Sequence, residues 1–221
     1  MRPKTLFPAY VAAGLAVGGP LAMVALVALG CSRTPPEPAP ASTTNSPAIT
    51  AEAKPAAQTT STPARCITAT PAEAPPLPAP ASAAACPPDP DGIPKLKTAQ
   101  VAFPEATNHP KVEVEIVTKE DEIQRGLMYR RTMAEDHGML FRLQERRDHT
   151  FWMHNTCMPL DMLFVDDDGT VVGIVEGATP LTDTTRSVGC PSSWVLEVNA
   201  GWTRRHGVRA GQKMGIPPAA R

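Results

Sequence analysis

From residue 95 onward the chain alternates between short apolar runs and polar breaks. In Lys111–Val117 the side chains Val112, Val114 and Ile116 fall on one face and Lys111, Glu113 and Glu115 on the other, the period of a half-buried strand. Ala99–Phe103, Gly138–Leu143, Thr150–Met153, Leu160–Val165, Thr170–Val175, Trp194–Val198 and Gly211–Ile216 read as further strands. Helical signals are few. Thr118 suits an N-cap, with Glu120, Asp121 and Glu122 in the first turn, where the helix dipole favours acids. Ile123 and Leu127 share a face, and Gly126 keeps that helix short. Ala200–His206 predicts one more helical turn, ended by Gly207. Arg142–Asp148 is polar enough to be a turn, Asp166–Gly169 has the composition of a hairpin turn, and Thr179–Ser193 reads as a long polar loop. Many short strands and one or two short helices predict a mainly β domain, an antiparallel β-sandwich or barrel with little α+β character.

Composition divides the chain further. Sixteen of the 26 prolines fall between Pro35 and Pro94. Residues 32–94 are Pro, Ala, Thr and Ser with few large apolar groups, so they cannot bury enough surface to offset their ordering entropy. They predict a disordered tether of about 60 residues at roughly 3 Å each, over 100 Å if fully stretched. Ahead of it, Arg2 and Lys4 precede the uncharged apolar run Val11–Leu29, which Gly18-Gly19-Pro20 interrupts. The run ends in Ala28-Leu29-Gly30-Cys31, which resembles the bacterial lipobox. Residues 1–31 are therefore expected to be a lipoprotein signal peptide with Cys31 as the acylated residue. A plain signal peptide and an uncleaved anchor are the alternatives. All three place residues 95–221 outside the cytoplasm, in the periplasm. Ser32 after the Cys fits an outer-membrane lipoprotein by resemblance to lipoprotein sorting. The net charge of −1 gives no basic footprint for nucleic acid.

With Cys31 set aside, four cysteines remain, and exported cysteines tend to pair. The expected disulfides are Cys66–Cys86, within the tether, and Cys157–Cys190, across the domain. A reach of Cys86 into the domain is the alternative. A disulfide at Cys157 outweighs a nucleophilic role with His154 as its base.

The domain resembles the family called domain of unknown function 192. The resemblance rests on Arg125-Gly126-Leu127-Met128, Gly138-Met139-Leu140-Phe141, Phe151-Trp152-Met153-His154-Asn155-Thr156, Pro159-Leu160-Asp161-Met162-Leu163-Phe164 and Val195-Leu196-Glu197-Val198-Asn199-Ala200-Gly201. It spans roughly Val112 to Ile216. It implies a small, often exported, β-rich fold and no activity. One departure is His154, which stands where the family usually has Lys.

Candidate chemistry centres on Thr150–Gly169, where His154, Asn155, Thr156 and Asp161 sit between apolar runs. Polar groups so placed are costly unless paired. They read either as a structural knot fixing a strand crossover, or as a ligand pocket lined by Arg125, Trp152, His154, Asn155 and Asp161. Alternation puts His154 on the side of Trp152. Met139, Met153, Met158 and Met162, with His137, His149 and His154, supply soft ligands suited to Cu(I), but without a familiar metal spacing. Asp166–Gly169 fails as a calcium loop, because Phe164 and Val175 stand where an EF-hand needs acids. Arg186, in the long loop, and the basic turn Trp202–His206 read as solvated or, for Arg186, as an anion contact. No catalytic set, cofactor or metal is assigned. The expected function is a membrane-anchored, non-enzymatic binding or accessory module for a small ligand or an envelope component. A periplasmic copper-handling protein and a hydrolase of an envelope component are the alternatives.

Overall fold

The computed structural model describes residues 64–220. The signal segment, Cys31 and residues 32–63 of the expected tether lie outside the described residues. Among the described residues, no helix is long and apolar enough to cross a membrane.

The domain is mainly β and mostly antiparallel. Its strands are β1 Lys97–Ala102, β2 Lys111–Val117, β3 His137–Arg147, β4 Leu160–Val165, β5 Val171–Ala178 and β6 Ser192–Asn199. Two short helices, α1 Glu120–Arg125 and α2 Trp202–Arg205, and a 3-10 turn at Pro218–Ala220 complete it. All six strands join one sheet in the order β1-β2-β3-β6-β4-β5. Only β2 and β3 pair in parallel. A parallel pair needs a crossover, and α1 with the loop after it supplies it.

Both faces of this sheet are covered, so its central strands are apolar on both sides. On β4, Leu163 and Val165 join one core with Leu140, Leu196, Val198, Phe103 and Trp202. Leu160, Met162 and Phe164 join the other, with Met139, Phe141, Met153 and Val195. Every residue of β4 is buried, Asp161 included. Ile123 and Leu127 place the crossover over the second face.

Several elements differ from expectation. The helix N-cap is Lys119, not Thr118; the Glu122 carboxylate turns back to the Thr118 and Lys119 amides. Arg142–Arg147 is not a turn but the outer half of β3, with an irregular register between Arg142 and Arg147 against β6. Its side chains are mostly exposed, and a polar projecting strand has the composition of a turn. Thr150–Met153 makes a single bridge, Phe151 to Arg186. Gly211–Ile216 likewise makes only the bridge Thr170 to Lys213. Gly211, at φ +93°, turns the chain there.

The disulfides are corrected outright. They join Cys66 to Cys190 and Cys86 to Cys157, not Cys66 to Cys86 and Cys157 to Cys190. The reach of Cys86 into the domain is the alternative that holds. Connectivity depends on which surfaces meet in the fold, and Cys spacing carries none of that. Residues 64–94, read from composition as tether, accordingly lie along the domain. Thr68 N donates to Val172 O at 2.8 Å and Ala81 N to Cys157 O at 2.8 Å. Arg204 donates to the carbonyls of Pro71, Ala72 and Glu73. Side-chain anchors fix a segment whose own composition would leave it loose. Two disulfides fit an oxidising, extracytoplasmic setting.

Candidate functional site

A cleft of about 490 Å³ opens on the second face of the sheet. Its floor is β6 and β3, which contribute Glu197 and Phe141. One wall is α1 and the turn Gly126–Met128; the other is the segment His149–Thr156 with the outer half of β3. The fold produces this gap in a simple way. The β2–β3 crossover covers only part of the face, and the long irregular connection from β3 to β4 covers the rest. The two meet edge to edge above Phe141.

Glycine is required at that meeting. Gly126 ends α1 at φ +48° and ψ −132°. A Cβ there would lie 3.2 Å from Phe141 Cζ and carry backbone strain as well. Phe141 meets Phe151 edge to face at 5.2 Å, and Phe151 meets Phe164 in the same way at 5.9 Å. Phe151 is held by two backbone hydrogen bonds to Arg186. This aromatic stack locks the wall to the floor.

Glu197 is the unusual group. It is 4% exposed. On β6 it alternates with the inward-facing Leu196 and Val198 of the first core, so its side chain shares the face of Val195. Its ladder neighbours are Met139 and Met162, both buried and apolar. No described residue offers its carboxyl a hydrogen bond or a salt bridge. Burial pushes this carboxyl up to about 8, because an ion pressed among methionines and phenylalanines loses its hydration. Near neutral pH the floor of the cleft therefore carries a mostly protonated acid.

At the rim, Trp152 is 42% exposed and stacks on His154 with ring centroids 4.8 Å apart. The same-side placement expected from alternation holds. His154 Nδ1 lies 2.7 Å from Asp183 Oδ1. Glu120, Glu145, Arg147 and His149 also line the cleft.

The five residues expected to share a pocket are split. Arg125, Trp152 and His154 line the cleft; Asn155 and Asp161 do not. Arg125 is largely occupied, donating to Asp89 and to the Gly92 carbonyl. Asn155, at φ +52°, donates from Nδ2 to Tyr129 Oη at 3.0 Å and accepts from Tyr129 N at 2.7 Å. It ties the two walls together beneath the rim. Asp161 lies on the opposite face of the sheet. Its carboxylate accepts from Gly177 N, Gly201 N, Thr203 N and Thr203 Oγ1. The structural-knot reading describes Asp161, with different partners from those expected around Pro159.

The soft-ligand set is dispersed in role. Met139, Met153, Met158 and Met162 all fill the second core, while His149 Nε2 meets the Glu145 carbonyl and His154 meets Asp183. The acidic turn Asp166–Asp168 is met by Arg65, Arg146 and Lys213. These cations hold the Asp166 carboxyl and the Asp168 carboxyl below the usual carboxylate range, as a hairpin turn clamped by ion pairs requires.

Sequence reasoning missed Glu197. The available signal was a lone acid in the apolar strand Trp194–Val198.

The sequence model of the DUF192 family, described as "Uncharacterized ACR", matches residues 102–216. A crystal structure from Sinorhizobium meliloti, of a protein provisionally named a transcription regulator, is 38% identical with a TM-score of 0.53. That match covers 56% of this chain and 97% of the other. A protein of unknown function from Novosphingobium aromaticivorans is 31% identical with a TM-score of 0.52, covering 61% of this chain and 94% of the other. No curated protein matches.

Proposed function

Because this chain belongs to the DUF192 family, an uncharacterised one, we propose its function from its own site: the domain is an extracytoplasmic binding module whose ligand enters the cleft above Glu197. The observation that carries this reading is a carboxyl without a partner among the described residues, at the floor of an aromatic-walled cavity. Small-ligand sites commonly combine such an apolar cavity with a few inward polar groups. The cleft's volume suits a small molecule or one side chain of a larger partner. Acylation at Cys31 would anchor the module to a membrane, in the outer membrane by the Ser32 signal. Residues 32–63 would give it reach toward an envelope component. The net charge of −1 offers nothing for nucleic acid, so the name of the Sinorhizobium protein is not carried over.

The test is a thermal-shift screen of the mature chain against a panel of small molecules, with Trp152 fluorescence as the local readout. A ligand of the cleft raises the melting temperature by mass action and changes Trp152 emission, and Trp152→Phe removes the optical change. A panel that gives melting shifts without a Trp152 response would move the site elsewhere. A hydrolase remains the second reading, favoured by the protonated Glu197, since such an acid can donate a proton. Product release from isolated envelope material, lost in Glu197→Gln, separates it from binding.

A further inference from the structure

We infer that the cleft takes a slender organic cation, whose primary ammonium group reaches Glu197 while its methylene chain lies against Phe141, Phe151 and Trp152. The inference rests on the reading of the cleft as a binding site and adds the ligand's chemical class.

Three observations converge on a cation. The first is the missing partner. Other buried acids are satisfied: Asp161 by four donors and Asp166 by Arg146. Glu197 has none among the described residues, and the cleft opens onto it. A group brought through that opening is what can satisfy it. The second is the balance of charge facing it. From α1 come Glu120 and Arg125, from β3 Glu145 and Arg147, and from the loop His149 and His154. Arg125 is engaged by Asp89, and His154 by Asp183. Arg147 is exposed and lies 3.8 Å from Glu145. Glu120 has no basic partner among the described residues, and neither has Glu197, which adds a second unmatched negative charge once it ionises. An anionic ligand would meet that charge. The third is the wall. Phenylalanine rings give a polyol's hydroxyls nothing to bond, but they attract cations over their faces and pack against methylenes.

The proton balance follows. Ammonium binding ionises Glu197, and its proton leaves to solvent. Below pH 8, where burial holds the free acid protonated, apparent affinity rises about tenfold per pH unit; it levels off above. Near pH 7 each binding event releases about 0.9 proton.

Isothermal titration of the mature chain tests this with cadaverine as a free amine, Nα-acetyl-lysine amide as a peptide-borne one, and 1,5-pentanediol as the neutral counterpart. At least one amine is expected to bind, more tightly at pH 8 than at pH 6, with buffer-dependent heat from the released proton. Glu197→Gln keeps the size of the side chain and is expected to lose at least about tenfold in that affinity. Its melting curve shows that the loss is not unfolding. Binding of cadaverine alone marks a free amine as the ligand; binding of the lysine amide marks a peptide side chain. Pentanediol binding as tightly as cadaverine, and surviving Glu197→Gln, would overturn the cation while leaving the cleft as a site. Failure of both amines at millimolar concentration overturns the inference as well. The cleft reading falls with it only if the wider panel also yields no ligand that alters Trp152.

Discussion

Glu197→Gln is expected to stabilise this protein, and to do so in a defined pH window. In the unfolded chain the carboxyl titrates at the ordinary value of 4.5; in the folded chain burial raises it to about 8. The folded state thus holds the proton more tightly. Its stability is full below pH 4.5, falls as pH rises through the interval, and levels off above about 8. At about 1.4 kcal/mol per unit, the loss is on the order of 3 kcal/mol by pH 7 and 5 kcal/mol across the window. A glutamine carries no proton to lose, so its variant should show no such slope. The lowered carboxyls of Asp89, Glu122, Asp166 and Asp168 act in the opposite sense, below the usual carboxylate range. They are common to both proteins and cancel in the difference. Urea denaturation of both proteins, with disulfides intact, at half-unit steps from pH 4.5 to 8.5 gives that difference directly. Two parallel stability profiles would refute the argument, because they would mean that Glu197 ionises in the folded state as freely as in water.

Three further outcomes are expected. Peptide mapping without reductant should recover Cys66–Cys190 and Cys86–Cys157, and replacing Cys86 and Cys157 together by Ala should lower unfolding stability by about 3–5 kcal/mol, since their loop spans 71 residues. Gly126→Ala should cost about 1–3 kcal/mol from positive φ and crowding of Phe141, and should weaken any cleft ligand, read by melting and titration together. Asp161→Ala, which strips the acceptor from four donors, should cost about 3–5 kcal/mol without changing Trp152 emission in the chain that remains folded at low temperature.

Where the sequence was legible, one local signal was enough. β4 matches its expected bounds because a run apolar at all but Asp161 lies between Pro159 and an acidic turn. Trp152 and His154 share one side, as alternation leads one to expect, although only Phe151 of that stretch pairs. Elsewhere the deciding fact was distant. Arg142–Arg147 is polar both as a turn and as an exposed strand, and only its pairing with β6 tells them apart. Residues 64–94 carry the composition of a linker, yet Cys66, Cys86 and the carbonyls that Arg204 binds fix them to the domain. Glu197 shows the limit most clearly. In Trp194–Val198 it occupies the side opposite Trp194, Leu196 and Val198, where a strand with one wet face would carry an acid. It is buried because β6 lies between β3 and β4, with both faces of the sheet covered.

Two buried acids on neighbouring strands make the same point in energy. Asp161 and Glu197 sit one ladder step apart, since Asp161 pairs with Val198 and Met162 with Glu197. They point to opposite faces. Asp161 is met by four donors from two separate segments, and its charge ties β5 to the start of α2. Glu197 is met by none among the described residues. A fold that can organise four donors around one carboxylate is not short of means to satisfy the next. Valine or leucine at 197 would suit the methionines around it, at a gain in stability. An acid there that no described residue partners, kept protonated by burial, is a standing cost to folding, and such costs concentrate where a site has work to do. The cleft is thus marked less by its shape than by the place where the core tolerates an acid that no described residue partners.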